Sequence, residues 1–417
     1  MTTSRTQASV SWLRRFARTT PGAVSVIVIV VVAGALIAAA ISAAQLNGRI
    51  AERNAILERS EPLAYAAHNL YAALSAADAA AVSAFLSNEI GTGPMRKRYQ
   101  QALADASSAL ADATAGATDV QARTAMAEIS AQLSAYTGLV EAARANDRQG
   151  FPVGSGYLRE ASAMMQTELL PAAERIYSRD AATVDGDQRA VGSLPVLGLV
   201  LMALGLIAIV VGSVVVYRRT NRMFNIGLVV AAVAVLVAAG WLVIATQLAA
   251  VDIGQSRSAG TERFAALAKA RILALQTRTV ETLQLVARGD IGTSNATFDK
   301  NVADLNGLLD NGPAAAVDGV SKWTASHRKH TDRYSSGDYA GAVVQAIGGA
   351  PDASAAQFEI VDNSLRTELA ATRATLRGEV ASAGHRLAWS PTAVLVLLVI
   401  AAAAAVAGLW PRLKEFL

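Results

Sequence analysis

Cysteine is absent from this 417-residue chain, which excludes a disulfide framework, a thiolate metal site and a cysteine nucleophile. Histidine is scarce, with four residues, and aromatics amount to only 5%. No Gly-rich phosphate loop precedes a lysine, and no alternating apolar and polar run long enough for a strand stands out. The long apolar runs contain no paired carboxylates, as a proton relay or ion path would require, so transport through this chain is not expected. Little remains from which a catalytic centre could be assembled. We therefore expect no enzyme, no cofactor and no resident metal.

Hydrophobic residues are abundant instead, at 53% of the chain. The runs Gly22 to Ala44, Leu194 to Tyr217, Asn225 to about Ala250 and Pro391 to Trp410 are each long enough to cross a bilayer at ~1.5 Å of rise per residue. The middle two flank a short basic link, Arg218-Arg219-Thr220-Asn221-Arg222-Met223-Phe224. Arginines concentrated between two spans place that link in the cytoplasm. Arg5, Arg14, Arg15 and Arg18 precede the first run with no acid among residues 1–20, and Arg412 and Lys414 follow the fourth. A basic start before an apolar run also fits a cleaved signal, and Arg14-Arg15 hints at a twin-arginine one. A signal core is only ~7–15 residues, so the first run reads as a retained anchor. The formal net charge of +4 thus reports membrane orientation, and nucleic acid is not an expected partner.

These features give a multi-pass protein of the plasma membrane with both termini in the cytoplasm. Its parts are an N-terminal arm (1–21), a first span (22–44), a first external bundle (45–193), a second span (194–217), the link (218–224), a third span (225–247), a second external bundle (248–389), a fourth span (390–410) and a tail (411–417). Trp389 and Trp410 bracket the fourth span, as rings at a bilayer interface do.

The polar segments read as helices. Met126, Ile129, Leu133, Tyr136, Val140 and Ala143 step by three or four, as do Leu158, Ala161, Met165, Leu169, Ala172 and Ile176, and Phe298, Val302, Leu305 and Leu309. Gly91-Thr92-Gly93-Pro94, Gly116, Gly150-Phe151-Pro152, Gly289 to Thr293, Asp310-Asn311-Gly312-Pro313 and Gly348 to Pro351 are the breaks, with an interruption near Pro62 in the first external helix. Ala43-Ala44-Gln45-Leu46 corresponds to Ala245-Thr246-Gln247-Leu248, and Thr167-Glu168-Leu169 to Thr367-Glu368-Leu369, at an offset near 200 residues. The fold class is therefore an all-α membrane protein with four transmembrane helices and two tandem extracytoplasmic helical bundles arising from an internal duplication.

Few residues suggest a site. Trp323, His327, His330 and Tyr334 fall on one stripe of a helix. Two histidines so placed begin a metal site or a proton-sensitive interface, although bundle packing is the commoner use; they stand as candidates for an ectodomain interface. Arg218, Arg219, Arg222, Arg412 and Lys414 are topology determinants that also suit contact with anionic lipid or with an acidic cytoplasmic partner. Asn295-Ala296-Thr297 matches a glycosylation sequon only incidentally.

The inner face is small and the polar mass is large, an arrangement suited to passing a movement of helices to a separate effector. Four spans, two helical domains in tandem, a basic N-terminal arm and the tail Trp410-Pro411-Arg412-Leu413-Lys414-Glu415-Phe416 resemble the actinobacterial membrane protein encoded beside a glutamine-binding lipoprotein and the soluble serine/threonine protein kinase G. The resemblance implies a signal transducer that receives the loaded state of an extracytoplasmic solute-binding lipoprotein and relays it to a cytoplasmic serine/threonine kinase, adjusting nitrogen and carbon metabolism. It transfers no binding residue. Two other readings stand beside it: a chemoreceptor-like sensor that binds a small molecule directly, and a structural scaffold of the envelope. A homo-oligomer is compatible with all three.

Overall fold

A computed structural model describes residues 20–87, 93–117, 120–220, 225–289 and 291–414. All regular structure among them is helical. The chain forms two compact units, one built from residues 1–55, 187–255 and 379–417 and the other from residues 56–186 and 256–378.

The first unit carries the apolar runs. Its helices are α1 (Thr20–Ala55), α7 (Val196–Thr220), α8 (Ile226–Gln255) and α14 (Ser390–Lys414). Four helical stretches of the chain are long and apolar enough to cross a membrane. α14 packs on both α1 and α8, α1 on α7, and α7 on α8, which closes a ring of four. Their inward faces hold Val31, Ala38, Met202, Ile209, Ala231, Ala238, Val394 and Ala405, all buried. Ile29, Ile37, Leu204, Ile207, Val233 and Ile244 point outward and are exposed. Large apolar side chains in such numbers on an outer surface suit lipid, since water would penalise them at ~25 cal/mol per Å². α7 begins just after Pro195, and α14 has Pro391 at its second position, where a missing N–H leaves no helical bond unmade.

The second unit contains α2 (Glu61–Leu86), α3 (Pro94–Gly116), α4 (Val120–Arg148), α5 (Val153–Met164), the start of α6 (Leu170–Gly192), α9 (Arg263–Ala287), α10 (Gly292–Leu308), α11 (Ala314–Ser335), α12 (Tyr339–Ile347) and most of α13 (Ser354–Ala388). α2 and α9 pack on each other at its centre, α3 covers α2, and α10 covers α9. Alanine at positions 66, 67, 73, 77 and 81 of α2 lets neighbouring backbones approach closely. Both sequence halves feed one hydrophobic cluster, with Leu70, Met126, Tyr136 and Met165 from the first and Ala274, Phe298, Val320 and Trp323 from the second. The sequence suggests a bundle for each half; these helices close over a common interior.

The spacing of breaks in the sequence matches helix ends at Gly116, Arg148 and Leu308. The turn at Gly91-Thr92 lies outside the described residues. α12 is a short helix of its own: Asp338 caps its start by accepting from the Gly341 amide at 2.9 Å, which sets it apart from α11. The break expected at Gly348 to Pro351 then separates it from α13.

Wider π turns interrupt three helices, at Ile56–Ser60, Met165–Leu169 and Ser256–Glu262. Two of them lie just before a proline, Pro62 and Pro171, whose missing N–H would otherwise leave a gap in the ladder. The third holds Gly260, which packs so closely on Leu376 that an added Cβ would lie 2.8 Å from the Leu376 Cβ.

Candidate functional site

The buried polar groups of the second unit gather on its two central helices. On α9 the residues Leu267, Arg271, Ala274, Arg278, Glu281 and Leu285 follow the three-four spacing of a core stripe, so two arginines and a glutamate face inward. Burial of unpaired charges costs several kcal/mol each. All three are paired.

Glu281 is fully buried and its partners come from two helices. Arg278 Nη1 donates to Oε2 at 2.5 Å, one turn away on α9. From α11, Trp323 Nε1 donates to the same oxygen at 2.9 Å. Oε1 faces the histidines, 3.2 Å from His327 Nδ1 and 3.6 Å from His330 Nδ1. Burial alone would raise the carboxyl of Glu281, but Arg278, the His327 hydrogen bond and His330 together hold it well below the usual carboxylate range. His330 is pushed down to about 4, first by burial and then by His327 and Arg278, against the pull of Glu281. It is therefore neutral at neutral pH.

The rings are fixed by packing. Phe298 of α10 stacks on His327 with centroids 3.5 Å apart and meets Trp323 edge-on at 5.4 Å. His330 Nε2 lies 2.8 Å from the Gln284 side-chain amide. The second nitrogen of each imidazole, His327 Nε2 and His330 Nδ1, has no hydrogen-bond partner among the described residues.

Arg278 also reaches the floor of a cleft of about 380 Å³ between α2, α3, α9 and α13. Arg98, Asp105, Glu359, Asp362 and Arg366 line its walls. Asp362 accepts from Arg271 Nε at 2.7 Å and from Arg366 at 2.6 Å. Burial pushes its carboxyl up, and the two guanidinium groups outweigh that, so it sits below the usual range. Arg98 and Glu359 pair at 2.5 Å across the mouth, each about half exposed. A cleft with both signs of fixed charge suits a small molecule bearing both signs.

The first half has its own buried carboxylate. Asp78 of α2 accepts from Ser162 Oγ at 2.8 Å, Gln166 Nε2 at 3.2 Å and Tyr136 Oη at 3.4 Å. These donors are neutral, so burial dominates and pushes Asp78 up to about 6. Nearly three turns earlier on α2, His68 is fully buried between the rings of Tyr177 and Phe264, and burial, with Arg271, depresses it to about 3.

Of the residues singled out in the sequence, Trp323, His327 and His330 converge on Glu281 and are buried. At those three positions the side chains pack inside the bundle, the commoner use of such a stripe. Tyr334 is separate, donating through its hydroxyl to Gly289 O at 3.0 Å. Arg218, at the end of α7, and Lys414, at the end of α14, are exposed. Arg219 and Arg412 belong to the same helices, but their side chains, like all of Arg222, lie outside the described residues. The repeated glutamates bridge helices: Glu168 accepts from Gln132 at 3.0 Å and Glu368 from Arg263 at 2.6 Å. Glu281, Arg278 and Asp78 are absent from the sequence reading. Their signal is a charged residue on an otherwise apolar stripe.

Residues 52–189 match the family model of the actinobacterial sensor domain. The matched stretch includes Asp78, Tyr136 and Ser162, whereas Glu281 and its histidines fall in the second half of the chain. Comparison with curated proteins and with solved structures found no match. The domain match supports a sensor protein of actinobacterial type, and the four apolar helices support a place in a membrane.

Proposed function

We propose that this chain is a non-enzymatic transmembrane signal transducer. Its polar helices lie outside the plasma membrane and its termini and the 218–224 link inside. The observation that carries the reading is the continuity of helix along the chain: residues 20–86 and 226–287 are helical throughout, broken only by the π turns at 56–60 and 256–262. Each run begins in a membrane-length apolar segment and ends in a charged core stripe. Shifts of helices are an established way of passing a change along such a run. The π turns support the duplication as well, since their first residues, 56 and 256, differ by the same offset of about 200 as the sequence matches.

In finer detail, the signal received is the loaded state of an extracytoplasmic amino-acid-binding lipoprotein. The output is a cytoplasmic serine/threonine kinase that adjusts nitrogen and carbon metabolism. The resemblance of the whole chain supports this, and the sensor-domain match agrees with the sensing half of it. Crosslinking and affinity capture from native membranes should recover a solute-binding lipoprotein and a soluble kinase together. Recovery of neither in a sample that retains known membrane complexes would remove this reading. Orientation has a separate test, because the chain has no native cysteine. A cysteine at exposed Gln149 should react with an impermeant thiol reagent on intact cells, and one at Thr220 only after lysis.

A second reading, direct binding of a small molecule, is favoured by the mixed-charge cleft above Arg278. Calorimetry of the purified chain with free amino acids distinguishes the two. Saturable heat lost on Arg366→Ala would favour direct sensing without a binding lipoprotein.

A further inference from the structure

We propose that Glu281, His327 and His330 form a binding site for a divalent transition-metal ion of the zinc class, located inside the second half of the helical domain. This inference goes beyond the sensing role and does not depend on it.

The distances carry the argument. Metal–nitrogen and metal–oxygen bonds of ~2.0–2.2 Å around a tetrahedral ion place neighbouring ligand atoms about 3.3–3.5 Å apart. Glu281 Oε1 stands 3.2 Å from His327 Nδ1 and 3.6 Å from His330 Nδ1, which brackets that edge length. One ligand atom from each of the three residues lies within 4.8 Å of the other two. All three side chains are already in place, so binding requires no rearrangement of a helix.

The surrounding groups act as a supporting shell for such a site. Arg278 and Trp323 both engage Oε2, leaving Oε1 turned toward the imidazoles. Phe298 locks the plane of His327 by stacking. Gln284 lies against His330 Nε2, and with its amide oxygen turned to that nitrogen it would accept the ring proton and free Nδ1 as a ligand. In addition, His330 Nδ1 and Gln284 Oε1 are buried polar atoms with no hydrogen-bond partner among the described residues. Fully buried nitrogen without a partner is rare and costly. A bound ion would answer the first and the turned amide the second.

Ligand chemistry narrows the choice of ion. Two imidazoles and one carboxylate suit zinc better than magnesium or calcium, which take oxygen ligands. Because the chain has no cysteine and only four histidines, His68, His327, His330 and His385, any tight zinc binding has few possible sources.

The test uses the full-length chain in detergent, purified without a polyhistidine tag and dialysed against Zn²⁺, with metal content read by atomic emission. One ion per chain is expected, with a rise in the thermal midpoint. Substitution by Co²⁺ should give the visible spectrum of a tetrahedral site with nitrogen ligands. His330→Gln should weaken binding about hundredfold, while His68→Gln and His385→Gln should leave it unchanged. Folded wild-type chain that takes up no stoichiometric Zn²⁺ overturns the proposal, as does binding that persists in His327→Gln/His330→Gln. Should that double variant fail to fold, the wild-type Co²⁺ spectrum decides, and an octahedral or aqueous spectrum overturns the site.

Discussion

At the scale of single residues, the two buried carboxylates behave in opposite ways because their neighbours differ in charge. Glu281 has a guanidinium 2.5 Å away and stays ionised. Asp78 has only hydroxyl and amide donors, so burial pushes it up to about 6. A carboxyl whose folded value lies above its unfolded one stabilises the fold at low pH, and that contribution is lost as pH rises through the folded value. Between about pH 4 and about pH 7 the chain should lose roughly 3 kcal/mol at Asp78, from a shift of about two units at 1.36 kcal/mol each. Asp78→Asn should flatten this dependence and raise stability near neutral pH by about 1–3 kcal/mol, as read by thermal unfolding in detergent across that range. An unchanged pH profile in the variant would show that Asp78 does not titrate as described. Arg278→Ala should instead destabilise by about 3–5 kcal/mol, because it strands a buried anion. A denaturant midpoint close to wild type would contradict the pairing with Glu281. The sequence displays these residues only obliquely. Asp78, Arg278 and Glu281 sit on apolar stripes and look like errors in the pattern, and a stripe does not reveal which opposing side chain makes a charge tolerable. The histidine pair was legible as a pair on one face. Its third member, 46 residues before His327 on another helix, was not.

Elements were the most readable level. Apolar spacing and Gly–Pro punctuation account for the spans and for most helix ends in the polar unit. α12 turns on single residues: Asp338 caps its start and sets it apart from α11, and the break expected at Gly348 to Pro351 ends it. An interruption near Pro62 was legible and falls at the first π turn, whereas the π turns at Met165–Leu169 and Ser256–Glu262 were not expected. Among the apolar helices, α8 and α14 come into close contact where Gly227 meets Gly408, and a methyl group on Gly227 would overlap the backbone of Ala404 and Gly408. Asn225 Nδ2 donates to Gly408 O at 2.8 Å and its Oδ1 accepts from the Gly227 amide at 3.0 Å. Small residues at such a crossing allow backbone contact in lipid, where apolar burial supplies no drive. Gly408→Leu should lower the thermal midpoint of the full chain by several degrees, corresponding to about 1–3 kcal/mol of overpacking. Gly240→Leu, where the added carbon meets nothing within 4 Å, should leave it nearly unchanged. Equal effects at both positions would mean that the crossing is not tight.

For the whole molecule, the common interior of the polar helices sets the cooperative unit. Leu70, Tyr136 and Met165 belong to the same buried cluster as Phe298, Val320 and Trp323. Tyr71 and Gln276, one from each half, are joined at 2.6 Å. Cutting the chain at the 218–224 link should therefore give two pieces that are unstable when made singly and recover a folded core when made together. Protease resistance of the polar helices in each case checks this, and a resistant first piece alone would refute it. Short matches at an offset near 200 residues were visible in the sequence. That the two polar segments would share one interior was not, because hydrophobic spacing says which face is buried and never against what.

One consequence reaches beyond this chain. Residues 52–189 match a sensor domain, yet the walls that complete their core come from residues after 255. A shorter chain holding only the equivalent of residues 52–189 would leave that flank of apolar side chains uncovered, and a second copy of itself is the simplest cover for it.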